Sequence, residues 1–92
     1  MASIVRTARA KADFLRIWRF IALDNEAAAT RLLEQFDRRI HQLETFPELG
    51  SAHDDVRPGL RTLVVAGYRV LYRFDAALDR VLVVAVVEPY RK

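Results

Sequence analysis

Apolar residues in the first half of the chain recur at helical spacing. Phe14, Ile17, Trp18 and Ile21 form one stripe, as on an amphipathic helix. The spacing predicts a helix from Ala8 to about Leu23, opened by Thr7, whose hydroxyl can accept a first-turn N–H. Ahead of it, Ser3-Ile4-Val5-Arg6-Thr7 is a short β-prone segment. Asp24-Asn25 breaks the stripe and can cap a second helix, from about Glu26 to Phe46. Ala29, Leu32, Leu33, Phe36, Ile40 and Leu43 lie on its apolar side. Pro47 ends it, because the residue before a proline is driven out of the α region.

After a loop over Glu48 to Gly59, the period changes to two. Leu60 to Val65 predicts a strand, Ala66-Gly67 a tight turn, and Tyr68 to Phe74 a second strand. Tyr68, Val70, Tyr72 and Phe74 then share one face, while Arg69, Leu71 and Arg73 share the other. Asp75 to Asp79 is a further turn. Arg80 to Glu88 is apolar on both faces, so it is expected to be an inner strand. One N-terminal strand, a two-helix hairpin and a three-stranded antiparallel meander in one sheet make an α+β sandwich. Phe14, Trp18, Ile21, Leu32, Phe36 and Ile40 are expected to meet Tyr72, Val83 and Ala85 in its core.

Composition narrows the classes. A chain of 92 residues is expected to be a single domain, 1–92. With 52% hydrophobic residues, three Gly and three Pro, it is neither disordered nor of low complexity. It holds no Cys, which excludes disulfides, thiolate catalysis and cysteine-ligated metals. Glu48, Asp54 and Asp55 share a loop but lack a spaced partner, so no metal and no cofactor is expected. Arg6, Arg9, Lys11 and Asp13 punctuate the start, where a signal peptide would need an apolar run. The longest such run, Val81 to Val87, is far short of the roughly 20 residues that a spanning helix needs. A cytoplasmic protein without membrane contact is expected.

Charge adds a partner class. The net charge of +3 divides into +4 over residues 1–23, −5 over 24–55 and +4 over 56–92. Thirteen of the 15 bases are Arg, the better bidentate donor to carboxylate or phosphate. Four of them, Arg57, Arg61, Arg69 and Arg73, occur from 57 to 73 without an acid. Arg9, Arg16 and Arg19 lie beside the apolar stripe that contains Trp18. These residues are the candidate surface for an acidic, amphipathic protein segment.

The ordered motifs resemble the RelE/ParE superfamily of toxins from bacterial toxin–antitoxin pairs. Ala10-Lys11-Ala12-Asp13-Phe14 is similar to its early A-x-x-D-L pattern, and Leu43-x-x-x-Pro47-x-x-Gly50 to its helix stop. Arg57-Pro58-Gly59-Leu60-Arg61 resembles the ParE-type entry to the meander. Tyr68-Arg69-Val70-Leu71-Tyr72-Arg73 resembles the superfamily's Y-x-(apolar)-x-Y-R strand. The ParE branch implies a non-enzymatic inhibitor of DNA gyrase, with Tyr90, Arg91 and Lys92 as expected target contacts and no sequence-specific DNA binding of its own. It also implies a ParD-like antitoxin with a ribbon-helix-helix N-terminus and an acidic, apolar C-terminal segment. At the end of the last strand that branch often has His, where Glu88 stands here.

The RelE branch is the alternative, an endoribonuclease that cuts message on the ribosome. It would use Arg61, Arg69 and Arg73 on the phosphate, Glu88 as base and Tyr90 as acid. His41 and His53 lie away from the meander in sequence, so neither completes that set.

Overall fold

The computed structural model describes residues 1–89. The expected contacts Tyr90, Arg91 and Lys92 lie outside the described residues. The elements are β1 (Ser3–Arg6), α1 (Ala8–Ala22), α2 (Glu26–His41), β2 (Ser51–Ala52), β3 (Leu60–Val65), β4 (Tyr68–Asp75) and β5 (Arg80–Val87). Both helices open on side-chain caps. Thr7 Oγ1 accepts the Ala10 N–H at 3.0 Å, and Asn25 Oδ1 accepts the Ala28 N–H at 3.0 Å. The second helix is shorter than its pattern predicts. It ends at His41 and tightens into a 3-10 turn over Gln42–Glu44 before Pro47.

The sheet has five strands in the order β1-β5-β4-β3-β2. Strand β5 is an inner strand, as its two apolar faces predict. It is parallel to β1 and antiparallel to β4. The short β2 was not legible as a strand. It pairs Ser51 with Thr62 and Ala52 with Arg61 inside the expected loop.

Both helices cover one face of the sheet. Phe14, Ile17, Phe36, Ile40 and Leu43 are buried against Val70, Tyr72, Val81, Val83 and Val86. The Phe36 ring meets Phe14 edge-on at 5.1 Å and Tyr68 at 5.5 Å. Ile21 and Leu32 pack at the margin of this core.

Two expected core residues lie elsewhere. Trp18 is half-buried and outside the core, on the seam between the helices, where its indole N–H approaches Thr30 Oγ1 at 3.5 Å. Its position in the apolar stripe is a flank, not the centre. Ala85 is buried on the opposite face of the sheet. A bulge pairs Tyr72 with Val83 but Leu71 with Ala85, so Val84 and Ala85 together interrupt the alternation. Ala85 thereby joins the solvent-side face and lines its groove.

Candidate functional site: the outer face of the sheet

The face turned away from the helices carries the outward residues of three strands. Leu60 from β3, Leu71 from β4, and Leu82, Val84 and Val87 from β5 give it an apolar floor. The side chains of Arg9, Arg57 and Arg73 and the exposed Val56 line the same groove, of about 550 Å³. Arg69 stands two residues before Leu71 on this face, paired in register with Val64 and Val87. A second hollow of about 430 Å³ adjoins it, lined by Arg73, Arg80 and Leu82 together with the acid Asp75. Among the described residues, Arg57, Arg69, Arg73 and Arg80 have no acid within ion-pair distance. The result is an apolar trough rimmed by guanidinium groups, a surface that can hold carboxylates and bury apolar side chains.

Of the expected contacts, Arg57, Arg69 and Arg73 come together here, and Arg9 reaches the rim from the start of α1. Arg61 does not join them. Its register partner is the core-facing Tyr72, so it projects on the helix side of the sheet. There it donates to the Gly50 carbonyl at 2.7 Å and the Glu48 carbonyl at 3.1 Å. Its charge serves as a backbone clasp. Arg16, Trp18 and Arg19 lie farther along α1. Arg16 pairs with Asp13 at 2.9 Å and approaches Glu88 at 3.7 Å. Trp18 and Arg19 line a separate cleft at the tip of the helical hairpin.

Residues 4–88 match the family described as "ParE toxin of type II toxin-antitoxin system, parDE". The chain is also 35% identical over 86 residues to Toxin ParE3 of Caulobacter vibrioides, covering 89% of this chain and 86% of that protein. The chain belongs to the ParE toxin family. It is the toxin component of a type II toxin–antitoxin system. The fold agrees. The structure titled "Chromosomal ParDE TA system from P. aeruginosa" superposes at a TM-score of 0.78, with 18% identity, covering 98% of each chain. A chain of the intact E. coli RelBE toxin–antitoxin complex superposes at 0.67, also with 18% identity, covering 99% of this chain and 100% of that one.

Within this ParE-family fold, the described residues of the alternative nuclease set are dispersed, and its expected acid, Tyr90, lies outside the described residues. Arg61 is on the helix side, Arg69 and Arg73 are on the outer face, and Glu88 is beside Arg16. His41 is exposed on α2, 3.2 Å from Glu44, and His53 sits in the loop after β2. Among the described residues, no carboxylate or imidazole lines the outer groove.

One charged side chain of the first helix holds the fold together beneath this surface. Asp13, present in the A-x-x-D-L stretch without an assigned role, is buried in the α1–β5 seam. Its Oδ2 accepts the Val86 N–H at 3.0 Å, and its Oδ1 accepts from Arg16. Arg9 stands 3.7 Å away. Burial alone pushes this carboxyl up. The Val86 N–H and the two guanidinium groups outweigh it and hold the pKa below the ordinary aspartate value. The acid at the polar edge of an otherwise apolar stripe was the available signal.

Proposed function

We propose that this ParE-family toxin acts as a protein ligand of DNA gyrase in the cytoplasm, without chemistry of its own. We further propose that a ParD-like antitoxin neutralises it by laying an acidic, apolar segment in the outer groove. The carrying observation is the groove itself. Among the described residues, apolar side chains floor it and Arg9, Arg57 and Arg73 rim it, with no carboxylate or imidazole in its lining. Such a surface rewards a partner that brings leucine-like anchors together with carboxylates. The P. aeruginosa ParDE and E. coli RelBE assemblies support an antitoxin partner for this fold.

The test combines two readouts. The purified chain is expected to inhibit supercoiling by purified gyrase. Primer extension on message from cells expressing it is expected to show no codon-specific cuts. Such cuts, together with uninhibited gyrase, would replace this reading with ribosome-dependent cleavage.

A further inference from the structure

The tip of the helical hairpin exposes apolar side chains that the toxin fold does not use. Phe20 is 69% exposed and Leu23 89%. With Trp18 and Ala22 they surround a cleft of about 390 Å³, at whose margin stand Arg19 and Glu26. Residues of this size are normally withdrawn from water, and a cluster of them on a surface marks a contact site.

The charges at the cleft distinguish one occupant. The outer groove is rimmed by bases alone, so it suits an acidic segment. The tip carries both signs, Arg19 on α1 and Glu26 on α2, with Asp24 in the turn between them. A uniformly acidic segment would meet repulsion there. A two-fold axis through the cleft instead sets residue i against j and j against i. Such an axis would let each copy's Arg19 face the other's Glu26 and each Leu23 enter the wall formed by the other's Trp18 and Phe20. Both charges suit their own helix ends, a base in the last turn of α1 and an acid in the first turn of α2. Neither is held in an ion pair among the described residues.

We propose that this cleft is a self-association surface, through which two copies of the toxin form an isologous dimer at the hairpin tip. It lies apart from the outer groove, so each copy in the dimer keeps that groove open. The patch offers roughly 300–400 Å² per copy, from a large aromatic, a leucine and part of a tryptophan. A standard interface uses about 800 Å² per partner. The dimer is accordingly weak and concentration-dependent.

Sedimentation equilibrium of the purified full chain, from about 10 to 500 µM, tests this directly. The wild type is expected to shift from monomer toward dimer across that range. Leu23→Glu and, separately, Phe20→Ser are expected to stay monomeric, with circular dichroism confirming the fold. Arg19→Glu and Glu26→Arg are each expected to weaken association at least tenfold. An equimolar mixture of these two variants is expected to associate like wild type, because both crossed pairs are then complementary. That rescue is peculiar to a face that meets its own copy. A wild type that stays monomeric at the highest concentration overturns the proposal. So does a mixture that stays monomeric while the wild type dimerises, since the dimer then uses another face.

Discussion

Asp13 is an ionised carboxylate in a largely apolar seam, and its three partners explain why it stays charged. Replacing it with Asn keeps the shape and an acceptor oxygen but turns an amide NH2 toward either the Val86 N–H or the guanidinium groups. One set of donors then loses its acceptor, which costs roughly 1–3 kcal/mol. The pKa of Asp13 is depressed in the folded state. Its contribution is therefore complete above the unfolded value of about 3.9, and is lost as pH falls through the folded value. Denaturant titrations at a series of pH values check both points. Asp13→Asn is expected to be less stable than wild type at pH 7 and to lose less on acidification. Equal losses on acidification would remove Asp13 as the source of the acid sensitivity. The positions of Trp18 and Ala85 show the complementary limit at the residue scale. Periodicity identified both as apolar, but a flank position and a bulge decided what each touches.

The segment after α2 shows how an element boundary is secured. Leu43 is fully buried in the 3-10 turn that closes the helical run at Glu44, Pro47 follows it, and Gly50 brings the backbone against β3 and β4. A Cβ on Gly50 would lie 2.8 Å from both the Thr62 carbonyl oxygen and Tyr72 Cε1. Tyr72 Oη donates to the Pro47 carbonyl at 2.8 Å and accepts the Gly50 N–H at 2.8 Å. Arg61 completes the clasp from the other side of Gly50. The spacing of Leu43, Pro47 and Gly50 thus has a structural cause. Gly50→Ala is expected to cost roughly 1–3 kcal/mol through displaced backbone. Tyr72→Phe is expected to cost a similar amount by stranding the buried Gly50 N–H and the part-buried Pro47 carbonyl. Thermal melts of both variants check this, and a melting temperature unchanged in either sinks its half of the account. The helices and long strands were legible because their apolar periods are sustained. The Ser51–Ala52 strand, the bulge in β5 and the clasp role of Arg61 were not, because each depends on what another segment brings alongside. The candidate surface was legible as a cluster of arginines. Alternation puts Arg69 and Arg73 on one face of β4, but setting Arg61 apart from them takes the β3–β4 register, and joining Arg9 and Arg57 to them takes the folded chain.

Placing both helices on one face leaves the other face of the sheet open as a single broad trough. Arg69 and Arg73 lie within it on the same strand, so reversing both changes the sign of its middle. Arg69→Glu with Arg73→Glu is expected to weaken binding of an antitoxin peptide by several kcal/mol if these charges are desolvated in the complex. The fold is expected to persist, because both side chains are exposed. Isothermal titration with the wild type and the double variant measures the difference. Equal dissociation constants would place the antitoxin on a different face.

The pairing of β1 with β5 has a consequence for how the toxin first comes into being. The Thr7 hydroxyl, just after the first strand, donates to the Val84 carbonyl of the last one, 77 positions later. At synthesis rates of about 5–20 residues per second, a nascent chain has no partner for its first strand until roughly 4–15 s after making it. Throughout that interval α1 and α2 have no β5 to cover, and the trough has no Leu82, Val84 or Val87 in its floor. A ribosome that stalls before Arg80 therefore releases a fragment that lacks the inner strand of its own sheet. The sheet, and the trough on its outer face, are complete only once the last strand has emerged.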